Sequence, residues 1–275
     1  MDHQAVGADA PAEATGAAPV AGASAGRVGP PDRPRAERAG PAHPVPTTRE
    51  PHWGFLAFFL SYGGFYLATL ALTAVGQSSF DPNEPPRPGS SLLASFAPNL
   101  LLAVAPVTLS WWRGRGPRRD YGIVPTARDI KVGLACGGVS LLVARALSVP
   151  LTKIYGDDGS SGGPDAFDGA GAGWLLAYPA YLVVGAPLTE ELLFRGALWG
   201  ALEHYQVPRL AILGITSLLF AFLHLEPSKV ASLFAQGLAI GTARMITGRI
   251  GASSVAHATN NLFPALSIYL IAATT

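Results

Sequence analysis

Three residue pairs, each spaced by four, hold the side chains of this sequence best suited to chemistry: Glu191 with Arg195, Phe220 with His224, and His257 with Asn261. Glu190 stands directly before the first pair. A spacing of four puts both members on one helix face, so His257 and Asn261 can point together into one cavity. Glu191 and Arg195 follow the favoured acid-before-base order and can neutralise each other, with Arg195 expected to reach toward the cytoplasmic boundary. Glu190 is turned about 100° away and has no intrahelical partner, which makes it the better candidate for a reactive carboxylate. A carboxylate in a poorly solvated pocket can serve as a general base near neutral pH. With two histidines and an amide beside it, the simplest chemistry is activation of water to attack a carbonyl, other donors receiving the oxyanion. Amide hydrolysis fits that inventory.

The surroundings of these groups are those of a lipid bilayer. The residues from Gly173 to Ala186 are predominantly apolar, and an apolar run resumes after Arg195. An ionisable side chain inside a spanning segment costs a few kcal/mol or more and marks a functional site by default. Of the 275 residues, 49% are hydrophobic and 13% charged, against roughly 25% charged in soluble domains. The balance of 19 basic and 18 acidic residues gives no sign of a nucleic-acid partner. Cys136 is the only cysteine and reads as a small core residue, which excludes an internal disulfide framework and a cysteine metal site.

The elements that must position the polar groups follow from hydropathy. Residues 1–50 are rich in Ala, Gly, Pro and Arg and read as a disordered cytoplasmic tail; they lack the apolar core of a signal peptide. Residues 51–275 read as an all-α, polytopic transmembrane helical bundle. A crossing needs about 20 mostly apolar residues, which gives about seven spans: Trp53 to Gly76, Leu92 to Trp112, Ile130 to Val149, Gly173 to about Leu202, Leu210 to Leu225, Val230 to Ile246, and Ala252 to Ala272. The fifth and sixth are short, so six or eight spans stay open. Arg33, Arg35, Arg38 and Arg49, then Arg113, Arg115, Arg118, Arg119 and Arg128, then Arg244 and Arg249 all fall on one side; Asp81, Glu84, Asp157, Asp158, Asp165 and Asp168 fall on the other. The positive-inside bias places the N-terminus in the cytoplasm. Small residues four apart, Gly133 and Gly137, Gly196 and Gly200, Gly237 and Gly241, suit close helix packing within the bundle. Pro187 is expected to kink or break the fourth span beside the glutamates.

The depth of each group follows from a rise of about 1.5 Å per residue. Glu190 lies about 24 Å from an outer end at Trp174 and His257 about 9 Å from an inner end at Gly251, which agree on a site in the cytoplasmic half. His224 lies about 22 Å from Arg209 and does not agree. Either the fifth helix starts well out in the cytoplasm, or the stretch from Leu225 to Lys229 turns beside a wet cavity, and the second is preferred.

The order Glu-Glu-x-x-x-Arg, Phe-x-x-x-His, His-x-x-x-Asn resembles the CPBP family of CAAX prenyl endopeptidases and bacteriocin-processing or abortive-infection proteins. Each motif position is matched, by Glu190, Glu191 and Arg195, by Phe220 and His224, and by His257 and Asn261, over roughly residues 174–269. The resemblance implies an intramembrane helical bundle that cleaves peptide bonds of membrane-associated protein or peptide substrates. It further implies Glu190 as general base, His224 holding or activating the water, His257 and Asn261 stabilising the oxyanion, and Glu191 and Arg195 as support. The family is commonly labelled a metalloprotease; in that version Glu190, His224 and His257 surround a zinc ion, while the same side chains can work without metal, the version preferred here.

Each residue also has a plainer reading. Glu191 and Arg195 form a structural pair as readily as a catalytic one, and the structural role is preferred. His224 or His257 alone could make an interhelical hydrogen bond, Asn260 and Asn261 could act as polar glue, and Phe220 reads as packing. Glu203 and His204 read as a solvated edge. Two other functions compete: a proton or ion pathway, against which stands the lack of an evident inverted repeat, and a catalytically silent membrane scaffold or immunity factor.

Overall fold

The structure is a computed structural model that describes residues 52–78, 88–156 and 172–272. The tail over residues 1–50 and the acidic residues Asp81, Glu84, Asp157, Asp158, Asp165 and Asp168 lie outside the described residues. All regular structure among the described residues is helical. Helix α1 spans Trp53–Ser78, α2 Pro88–Arg113, the single turn α3 Pro117–Asp120, and α4 Ala127–Tyr155. Next comes a continuous helical stretch made of α5 (Ala172–Ala180), a π segment (Tyr181–Gly185), α6 (Ala186–Glu191), a second π segment (Leu192–Leu198) and α7 (Trp199–His204). Helices α8 (Arg209–Leu223), α9 (Val230–Thr247) and α10 (Ile250–Ala272) complete the fold.

Each of the apolar stretches read from the sequence is therefore helical. Three segments, Trp53–Val75, Ala127–Tyr155 and Pro227–Thr247, are long and apolar enough to cross a membrane, and Arg209–Leu223 is a shorter apolar helix. The fourth stretch holds Glu190, Glu191 and Arg195 and is divided by the π segments.

Of the kink or break expected at Pro187, the break is absent, since the helical stretch continues through it. The preceding π segment changes the hydrogen-bond register, so that the Ala186 N–H donates to the Tyr181 carbonyl five residues back. The proline then occupies the first turn of α6, where a missing N–H is tolerated. Single π turns inside α-helices frequently mark functional sites.

Helix packing relies on the small residues. Helix α4 lies against α9 and α10, α1 against α2, and α8 against α9. A Cβ on Gly133 would meet the Ala252 carbonyl at 2.7 Å, and one on Gly137 the Ala256 carbonyl at 2.6 Å, so α4 and α10 touch backbone to backbone. Gly237 faces Ser217 and Phe220, while Gly241 faces Leu213 and the Arg195 side chain. An apolar cluster of Phe58, Leu102, Leu193, Phe194, Leu198, Phe220 and Leu223 ties α1, α2 and α8 to the second π segment.

The arginine-bearing loops after α2 and before α10 meet at one end of the molecule. The N–H groups of Ile250 and Gly251 donate to the carbonyls of Tyr121 (2.9 Å) and Gly122 (3.1 Å), which satisfies orphan donors at the start of α10. Helix α4 opens on a capping box: the Asp129 N–H donates to Thr126 Oγ1 and the Thr126 N–H donates to the Asp129 carboxylate. Arg249 Nε donates to that same carboxylate at 2.9 Å, so one acidic residue secures the starts of both α4 and α10.

Candidate active site

Glu190, His224, His257 and Asn261 line one cavity of about 310 Å³. They arrive from three places: Glu190 from the end of α6, His224 from the residue that closes α8, and His257 and Asn261 from successive turns of α10. Their depths converge because α8 ends at His224 and the chain turns at Leu225, with φ of +55°, before the short 3₁₀ turn Pro227–Lys229.

The first carboxylate, Glu190, is 7% exposed and faces the cavity. Its Oε1 accepts from Asn99 Nδ2 of α2 at 3.2 Å. Its Oε2 is buried, has no hydrogen-bond partner, and lies 3.9 Å from His257 Nε2.

The second carboxylate has a different setting. Glu191 is wholly buried and does not line the cavity. Its Oε1 accepts from Arg195 Nη1 at 3.0 Å and lies 3.2 Å from His257 Nδ1. A carboxylate only accepts, so His257 carries its proton on Nδ1 and turns Nε2 toward Glu190. Arg195 does not reach for a boundary as expected. It is wholly buried, its Nη2 donating to the Gly237 carbonyl of α9 at 2.9 Å. The reason is local: two partners inside the bundle, the Glu191 carboxylate and the Gly237 carbonyl, suit its fork of donors.

Phe220 packs at the centre of the site. Its ring centroid is 4.7 Å from that of His224 and 5.4 Å from that of His257, with the Arg195 guanidinium carbon 5.0 Å away. His224 Nδ1 is 2.8 Å from the Phe220 carbonyl. Because a carbonyl only accepts, Nδ1 carries the proton and Nε2 is left as an acceptor. Asn261 donates one N–H to the carbonyl of Leu182, in the first π segment, at 3.0 Å, which leaves its second amide hydrogen for another acceptor.

Several cavity residues were missed by sequence reasoning. Asn99, Tyr181 and Gln236 line the space, and the Tyr181 hydroxyl is buried with no hydrogen-bond partner. Asn260 donates to Gln236 Oε1 (3.0 Å) and Asn261 Oδ1 (3.3 Å) and accepts from Ser140 Oγ (2.8 Å), joining α4, α9 and α10. A signal for Asn99 and Gln236 existed, since each is an amide within an apolar stretch, but neither belongs to the three pairs that drew attention; Gln236 donates instead to Ser232, four residues before it, at 2.9 Å. Outside the cavity, Glu203 is exposed and pairs with Arg209 at 3.4 Å, while His204 is half-buried and its ring lies tilted against that of His52, with centroids 5.1 Å apart.

Among the described residues no group of three or more His, Cys, Asp or Glu side chains is arranged to hold a metal ion. Glu190 Oε1 is engaged by Asn99, and the Nδ1 atoms of both histidines are engaged as well. These contacts leave Glu190 Oε2 and the Nε2 atoms of His224 and His257 as the donors that would hold a zinc ion, a histidine backed at Nδ1 by a carboxylate or carbonyl being the usual form of a metal ligand.

Residues 172–263 match the family model described as type II CAAX prenyl endopeptidase Rce1-like. That is about a third of the chain, and it contains every motif residue from Glu190 to Asn261. It agrees with the CPBP resemblance read from the motifs. Comparison with the curated proteins and with the solved structures finds no match.

Proposed function

From the match of residues 172–263 to the Rce1-like type II CAAX prenyl endopeptidase model, we propose that the protein is an intramembrane endopeptidase that hydrolyses peptide bonds of membrane-associated proteins or peptides. The observation that carries the reading is the convergence of Glu190, His224, His257 and Asn261 on one cavity from separate helices. The chain crosses the bilayer about seven times with its N-terminus cytoplasmic; the meeting of the arginine-bearing loops at one end supports this arrangement.

The chemistry follows from which atoms are free. Glu190 Oε2, lacking a hydrogen-bond partner, takes a proton from a water molecule. The acceptor Nε2 of His224 holds that water through its other hydrogen. The hydroxide attacks the scissile carbonyl, and the oxygen that gains charge is received by the free Asn261 N–H and by His257. In its protonated form His257 keeps Nδ1–H on Glu191 and offers Nε2–H. Glu190 then returns the proton to the leaving amine. Glu191 and Arg195 hold the imidazole in place and do not touch substrate.

The test uses purified protein in detergent with a library of membrane-tethered peptides. The parent protein cleaves members of the library, while Glu190→Gln stays folded and loses about 10²- to 10⁴-fold in rate, the range contributed by a positioned general base. Equal activity in the variant would remove the central claim. Metal analysis of the active protein, with a chelator series, addresses the chemistry separately: activity without bound metal and unchanged by chelation is expected, and loss that only zinc restores would overturn the metal-free mechanism.

A further inference from the structure

We propose that Asn99, on α2 and outside the stretch that matches the family, is a positioning residue for Glu190 that decides which of its carboxylate oxygens is free to act. The inference rests on the reading of Glu190 as the general base. Asn99 Nδ2 donates to Glu190 Oε1 at 3.2 Å, while Oε2 is left without a hydrogen-bond partner beside His257.

The orientation of the Asn99 amide is dictated by Glu190. A carboxylate has no proton to give, so the amide must present its N–H₂ group to Glu190. Its oxygen then faces Thr189, whose hydroxyl donates to Asn99 Oδ1. With its one proton given to Asn99, that hydroxyl lies 2.9 Å from the Ala186 carbonyl without donating to it. Thr189 adjoins Glu190 in sequence, so Thr189, Asn99 and Glu190 close a ring between α6 and α2. One amide thus fixes the carboxylate rotation and links the reacting group to a helix from the other half of the chain. Without it the carboxylate can turn either oxygen toward Asn99's place, and the proton-accepting geometry is held for only part of the time.

The experiment measures kcat and KM for a tethered peptide, with unfolding midpoints in the same detergent, for Asn99→Leu, Asn99→Asp, Thr189→Val and Thr189→Ser in the full chain. Asn99→Leu removes the donor at similar size, and Asn99→Asp sets a carboxylate against Glu190. Both are expected to lower kcat about 10- to 100-fold, the value of a hydrogen bond to a charged group, with KM within about twofold of the parent. Thr189→Val, which loses the hydroxyl that donates to the amide, is expected to fall between the Asn99 variants and the parent, and Thr189→Ser, which keeps it, to match the parent. Full kcat in Asn99→Leu, or a loss confined to KM, overturns the proposal. If the Asn99 variants do not fold, the Thr189 pair decides: equal kcat in Thr189→Val and Thr189→Ser overturns it. Full activity in Glu190→Gln would sink both this proposal and the function it rests on; an inert Glu190→Gln beside a fully active Asn99→Leu sinks this one alone.

Discussion

Arg195 is the residue on which the buried electrostatics depend. It donates to Glu191 Oε1 and to the Gly237 carbonyl with no exposure to solvent. Removing one partner of such a pair leaves an uncompensated buried charge and costs about 3 to 5 kcal/mol. Arg195→Met is therefore expected to lower stability by about that amount, read from denaturant unfolding in detergent. Arg195→Lys keeps the charge but not the planar fork, so it cannot serve Glu191 and Gly237 together and is expected to fall between Met and the parent. Equal stability in all three proteins would show the pair to be dispensable. The acid-before-base pairing was legible in the sequence because it lies within a single helix. The Gly237 carbonyl, 42 residues on, and Asn99, 91 residues before Glu190, were not. Helical periodicity reports which residues share a face; it says nothing about which other helix that face meets.

At the scale of elements, the site depends on how closely α4 lets α10 approach. A Cβ at Gly137 would sit 2.6 Å from the Ala256 carbonyl, a backbone atom that can yield only by moving α10. His257 and Asn261 follow on that helix. Gly137→Ala is expected to destabilise the protein by about 1 to 3 kcal/mol, the usual cost of overpacking, and to lower cleavage by displacing both side chains. Gly138 is the control, since a Cβ there meets nothing within 4 Å; Gly138→Ala should leave stability and cleavage near the parent's. Thermal unfolding and peptide cleavage read both outcomes, and identical behaviour of the two variants would count against the close contact. The apolar stretches and the small-residue spacing were legible because hydropathy and Cβ size are local properties. The π segments were not, for no residue type demands them. The first lies where Pro187 removes a donor and where Asn261 engages the Leu182 carbonyl, and that contact with Asn261 exists only in the assembled bundle.

At the scale of the described bundle, the arginine-bearing loops after α2 and before α10 join at one end, and that end carries a titratable lock. Tyr121 donates to the Pro106 carbonyl at 3.0 Å and packs edge-on against Trp53. His52 stacks on Trp53 and meets the His204 ring at a tilt of 37°, so the start of α1 is held against the end of α7. Its Nδ1 accepts from the Gly54 N–H at 2.9 Å, which satisfies a donor in the first turn of α1 only while that nitrogen is unprotonated. Burial, and then the neighbouring His204, hold the His52 pKa below its ordinary value, with Asp120 opposing them. In the unfolded chain a histidine titrates near 6.5, so below that pH the unfolded state binds the proton first. The stabilisation from neutral His52 is complete above about pH 6.5, declines as pH falls, and is gone once pH has passed the folded value. The unfolding midpoint of the parent should therefore drop as pH is lowered from about 7.5 toward 5, and His52→Gln should flatten that slope. Parallel slopes in the two proteins would assign the acid sensitivity to other groups and leave the start of α1 held by its aromatic contacts alone.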